Sequence, residues 1–188
     1  HLTSSLAKSS PRQMLDQLVL LRTHALGNFR TLLRAITLDP AMLQWLDGSG
    51  SDASAPNENY ARELMELFAL GRDSGAYTEA DVRNGAKALA GYWVDNDDER
   101  GDGPGSVQFE VEGSLRRPVD FLGVRVRTVD DVIDAVCDHP ACARFIARRV
   151  HLALVGQEPA EARLVELAEV FGSNDLEIGP LVAAIATH

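Results

Sequence analysis

The chain has 188 residues, with 18 Lys and Arg against 28 Asp and Glu, a formal charge of −10. Its 45% hydrophobic content suffices for one sizeable core and excludes extensive disorder. No run reaches the roughly 18–20 apolar residues of a membrane-spanning helix, and the acidic surplus argues against nonspecific nucleic-acid binding, which needs clustered Lys and Arg.

Ser10-Pro11-Arg12-Gln13 predicts a helix start, with a Ser cap, Pro at the first helical position and Gln placed to close a capping box. Met14, Leu18 and Leu21, with Leu15 and Val19 beside them, give a helix-period pattern to about Ala25. Asn28 caps a second helix with Phe29, Leu32, Leu33 and Ile36 on one face, and Asp39-Pro40 opens a short third one through Trp45. Asp47 to Pro56 reads as a loop. Tyr60 to Leu70 follows as a helix stopped by Gly71, with Tyr60, Leu64, Leu67 and Phe68 as its expected buried face. Thr78 to Asp81 repeats the cap-and-acid pattern before Val82, Ala86 and Leu89, and Gly91-Tyr92-Trp93 closes that segment.

From Asp95 to Thr128 an acidic, Gly-rich loop is followed by alternating apolar positions (Val107, Phe109 and Val111, then Val119, Phe121, Val124 and Val126), which predict a small hairpin turning at Leu115–Pro118. Helices resume at Thr128, at Asp138-His139-Pro140 to about Leu154, at Pro159 to Phe171, and from near Asp175. The expected fold is mainly α: an irregular multi-helix single domain over residues 1–188, with one β-hairpin excursion at about 106–126 inside a 95–127 insertion.

The densest polar constellation is Asn57, Glu58, Asn59, Arg62, Glu63 and Glu66. On a helix, Asn59, Arg62, Glu63 and Glu66 share a stripe about 100° wide beside the apolar face. Two carboxylates at i, i+3 beside an Arg suit a divalent cation, or an acid–base pair in which one sets the pKa of the other. Glu63, Glu66 and Arg62 are therefore the catalytic candidates, and Glu63 and Glu66 the weak metal candidates. The structural alternative is a set of helix-surface ion pairs with Asn caps. Glu79 and Asp81 form a second acidic pair, equally explained by the helix dipole. Asp95 to Gly103 invites calcium, but Arg100 stands where an EF-hand needs Gly and Ser106 where it needs the closing Glu. Cys137, His139 and Cys142 make at most a partial zinc set or a labile disulfide, and more simply two small apolar residues at a helix junction. His1, His24, His139, His151 and His188 contain no i, i+4 pair, so the helical two-His zinc motif is missing. Elbow-serine, P-loop and Rossmann signatures are missing too.

The run Asn57-Glu-Asn-Tyr-Ala-Arg-Glu-Leu-Met-Glu-Leu-Phe-Ala-Leu-Gly71, with Tyr77-Thr-Glu-Ala-Asp-Val82, Ala88-Leu-Ala-Gly-Tyr-Trp93, His139-Pro-Ala-Cys-Ala-Arg-Phe-Ile-Ala-Arg148, Leu26-Gly-Asn-Phe-Arg30 and Asp39-Pro-Ala-Met42, resembles a bacterial family known as domain of unknown function 1800. The resemblance runs in family order across nearly the whole chain. It implies that the chain is the central part of a larger domain, His1-Leu2-Thr3 resembling the second half of a Trp-x-x-His-Phe motif. The matching polar positions are His1, Asn57, Asn59, Arg62, Glu63, Glu66, Glu79 and Asp81, which makes Asn57, Asn59, Arg62, Glu79, Asp81 and His1 binding candidates. Many members carry His-Asp between the hairpin strands, where this chain has Val111-Glu112-Gly113. Members are often secreted or periplasmic and encoded beside domain of unknown function 1501, which resembles alkaline-phosphatase-like enzymes, so a protein partner of that class is implied. Two functional expectations follow: a non-catalytic structural or partner-docking module, or an enzyme or divalent-metal-binding domain built on the Asn57–Glu66 helix.

Overall fold

The computed structural model describes residues 8–72, 74–96 and 103–187. Its helices are α1 (Pro11–His24), α2 (Phe29–Thr37), α3 (Pro40–Trp45), α4 (Asn59–Glu63), which runs on as a π-helical turn (Leu64–Ala69), α5 (Glu79–Ala88), α6 (Val129–Asp138), α7 (Pro140–Val155), α8 (Glu161–Ser173) and α9 (Ile178–Ala186). The fold is mainly α, with small antiparallel excursions between α5 and α6.

The starts follow cap chemistry. Ser10, Thr78 and Thr128 each accept from the backbone N–H three residues on, and Gln13, Asp81 and Asp131 close the three capping boxes. Asn28 and Asp39 cap α2 and α3 in the same way. His139 is both the last cap of α6 and the first of α7, its Nδ1 accepting from the Ala141 N–H at 3.2 Å.

The strand pairing differs from a single hairpin over 106–126. β1 (Tyr92–Asp95) pairs with β2 (Ser106–Phe109), and β3 (Val119–Phe121) pairs with β4 (Val124–Val126). Tyr92 and Trp93, expected to close the α5 segment, are strand residues, Tyr92 opposite Phe109 with ring centroids 4.9 Å apart. The tight turn lies at Leu122-Gly123, both at positive φ, as a two-residue hairpin requires. Leu115–Pro118 instead connects the two ribbons.

One core runs through the molecule. It joins α2, α3, α4 and the π turn to α6–α9 through Phe29, Leu33, Met42, Leu64, Met65, Val132, Ile133, Leu167, Phe171 and Leu181, all buried. Phe29 meets Phe171 edge-on at 6.2 Å, and Arg30 bonds Asp134 and Asp138 at 2.7 and 2.6 Å, tying α2 to α6. Cys137 and Cys142 lie inside this core as free cysteines, and the hydrogen bond with Cys137, then burial, pushes the Cys142 thiol up.

Two helix faces depart from the expected pattern. α1 buries Gln13 and Gln17 while Leu15, Leu18 and Val19 stand 54%, 47% and 56% exposed. Gln17 Nε2 donates to Asp39 Oδ1 at 2.7 Å and Gln13 Nε2 to Asn96 Oδ1 at 2.9 Å. Interior polar partners thus turn the amide edge of the helix inward and leave its apolar stripe outside. In the second case Tyr60 and Leu64 are buried but Leu67 is 41% exposed. The π turn is the cause. Leu70 N–H bonds Met65 O five residues back, and the wider turn rotates later positions, so Met65 and Ala69 face the core instead.

Candidate functional site

Asn59 and Arg62 lie on α4, Glu63 ends it, and Glu66 sits in the π turn. Arg62 is the hub. Its Nη1 and Nη2 donate to the two Glu79 oxygens at 2.7 and 2.8 Å. The Glu58 carboxylate lies 3.5 Å from Nη2, and a Glu66 oxygen 3.9 Å from Nη1. Glu66, whose side chain is only 11% exposed, also accepts from Arg72 Nε at 2.9 Å. Hydrogen bonding to Glu79 holds the guanidinium firmly protonated, and Arg62 in return keeps the Glu79 carboxyl below the usual range. Burial, then the neighbouring Glu66 charge, pushes the Tyr77 phenol up. The cluster joins α4, the π turn and the first turn of α5.

The remaining candidates do other work. Asn57 Oδ1 accepts from Asn59 N–H at 2.9 Å, forming an Asx turn ahead of α4, and Asn59 Nδ2 reaches Leu46 O at 3.4 Å. Asp81 is not in the Arg62 cluster. It closes the Thr78 box and accepts Leu122 N–H at 2.8 Å, pinning the β3–β4 turn. Burial raises its pKa, but the bonds from Thr78 and Leu122 outweigh this and hold it low. His1 and most of the Asp95–Gly103 loop considered for calcium lie outside the described residues, as does His188.

Glu63 stands apart. Its Oε2 is buried without a hydrogen-bond partner among the described residues, an arrangement shared by Gln44 Oε1. Orphaned buried acceptors are uncommon and each needs an explanation. Among the described residues no group of three or more His, Cys, Asp or Glu could hold a metal, so Glu63 and Glu66 have no complete ligand set there.

The family model described as Protein of unknown function (DUF1800) matches residues 1–188, the whole chain. The chain belongs to the DUF1800 family. No curated protein and no solved structure matches it. No helix among the described residues of this DUF1800 chain is long and apolar enough to cross a membrane.

Sequence reasoning missed two features of the DUF1800 chain. One is the interior amide network, in which Gln13 and Gln44 both donate to Asn96 Oδ1 at 2.9 Å and Gln17 meets Asp39. The available signal was two Gln at i, i+4 on a helix whose apolar stripe lies on its other face. The other is a cleft of about 660 Å³ between α7, the start of α8 and the segment after the π turn. Its arginines are spread from Arg72 to Arg148, so no local motif marks it.

Proposed function

We propose that this DUF1800 chain acts as a non-catalytic helical scaffold, with the Arg62 cluster as a clamp and not a reaction centre. A single observation carries the reading: apart from Glu63, the guanidinium and carboxylates of the cluster are engaged with one another, Arg62 with Glu79, Glu58 and Glu66, and Glu66 with Arg72. Docking is the second half of the proposal. Leu15, Leu18, Val19 and Leu26 form an exposed apolar stripe on and after α1, and the partner implied by the family resemblance is an alkaline-phosphatase-like protein.

The clamp is tested with Arg62→Gln, Glu79→Gln and the double variant. Arg62→Gln lowers stability by about 1 kcal/mol, the upper end for part-exposed ion pairs, and the double variant loses no more than Arg62→Gln alone. Additive losses, or none, sink the clamp. Co-purification of the protein with the alkaline-phosphatase-like partner, abolished by Leu18→Asp, tests docking.

The orphaned Glu63 oxygen supports a second reading, an acid–base or divalent-metal site. A buried carboxylate oxygen with no donor among the described residues can accept a water or a cation. On this reading Glu63→Gln leaves the melting temperature unchanged and removes divalent-ion binding measured by calorimetry. Wild-type protein that binds no divalent ion rules out the metal version.

A further inference from the structure

We propose that the cleft between α7, the start of α8 and residues Leu70, Gly71, Arg72 and Ser74 binds a small oxyanion, a phosphate or carboxylate head group, with its apolar body laid against Phe145. At about 660 Å³ the cleft has the size of ordinary small-molecule sites, which are mostly apolar with a few placed polar groups. Leu70, Gly71, Phe145 and Leu164 give it an apolar side, and Arg72, Arg144 and Arg148 give it three guanidinium groups in a chain whose net charge is −10. Gly71, at φ +91°, lies so close to the Phe145 ring that a Cβ there would stand 2.9 Å from Cδ2, so backbone and ring make one continuous surface.

Arg144 and Arg148 are held in place without being used up. Arg148 donates Nε and Nη2 to the two Glu158 oxygens at 2.7 and 2.6 Å. Arg144 uses Nη2 alone, at 2.8 and 2.7 Å from the Glu161 oxygens, and its Nε and Nη1 have no hydrogen-bond partner among the described residues. A guanidinium has five N–H donors in a rigid fork, so pairing on one edge fixes the plane and leaves the other edge for a ligand. Glu158 and Glu161 line the cleft as well, and with 51% and 73% of their side chains exposed their pairs with Arg148 and Arg144 are of the weak, solvent-screened kind. An incoming oxyanion can therefore share these guanidiniums or displace a glutamate at small cost. Ala160 gives no side-chain cap to α8, so the positive end of that 13-residue helix stands at the same rim.

The test is titration of the chain with inorganic phosphate, phenyl phosphate and benzoate at low ionic strength, followed by amide and arginine Nε–H NMR shifts. The expected result is saturable shifts at Gly71, Ser74, Phe145 and Arg144 Nε–H, tighter for phenyl phosphate than for phosphate because of the ring. Arg144→Gln weakens binding roughly tenfold or more, as loss of a charge-assisted fork should, while its melting temperature stays near wild type. Arg148→Lys, which keeps the charge and removes the fork, weakens it in the same direction and serves if the first variant does not fold. Response to the phosphates alone assigns a phosphate head, to benzoate alone a carboxylate head, and to all three a general oxyanion. Absence of saturable shifts in every arm, or shifts unchanged in both variants, overturns the proposal.

Discussion

Asp39 shows how one side chain sets local conditions in this protein. It is 4% exposed, caps α3 through Met42 N–H at 2.9 Å and accepts from Gln17 at 2.7 Å. Burial pushes its pKa up, more than these bonds pull it down. An acid whose folded pKa is raised contributes stability that is full below its unfolded pKa and lost as pH rises through the folded value. Asp39→Asn keeps an acceptor and removes the buried charge, so its stability relative to wild type improves from pH 4 to pH 7. Denaturant melts at the two pH values measure this, and an equal difference at both removes burial as the cause. Arg62 and Glu63 are adjacent in sequence and opposite in character, one meeting three carboxylates and the other leaving a buried oxygen without a donor among the described residues. Spacing placed both on one stripe but could not distinguish them, because the partners come from α5 and from packing.

Among the elements, the π turn has the largest consequence for side-chain placement. In an uninterrupted α-helix Leu67 would share the face of Tyr60 and Leu64; here it is 41% exposed while Leu64 is 1% exposed. Leu67→Glu should change stability by no more than about 0.5 kcal/mol, whereas Leu64→Ala should cost about 2–5 kcal/mol. Equal costs in thermal or denaturant melts would mean that the helix is regular. The second ribbon depends on α5. Asp81 accepts Leu122 N–H and Asn84 Nδ2 donates to Asp120 O, both at 2.8 Å. Asp81→Ala removes the carboxylate that closes the Thr78 capping box and this tie together, costing about 1–2 kcal/mol. Faster hydrogen exchange at Leu122, with little change in α8, is the expected signature; unchanged exchange refutes the tie. Helix starts were readable in advance because each cap is a local contact three residues long. The ribbon pairing was not, since alternation predicts a strand and never names its partner.

For the whole molecule, the outward stripe of α1 and the inward amides are one arrangement. Replacing Leu15, Leu18 and Val19 together by Ser, Gln and Thr should leave the melting temperature within a few degrees while reducing binding of an apolar dye. Gln17→Leu should instead destabilise, because it leaves Asp39 without the donor that meets it at 2.7 Å. The reverse ranking would place the apolar stripe in the core. Composition, hydrophobic period and caps determined the class of the protein by themselves, since they act through neighbours along the chain: mainly α, with helices starting at Pro11, Phe29, Pro40, Glu79, Val129 and Pro140. The tertiary structure alone decided that Arg62 belongs with Glu79, that Asp81 belongs with the β3–β4 turn, that Gln13 and Gln17 face inward, and that Arg72, Arg144 and Arg148 share one cleft. Each of those depends on groups brought together from distant parts of the chain, where burial and directional hydrogen bonds outweigh what any local pattern prefers.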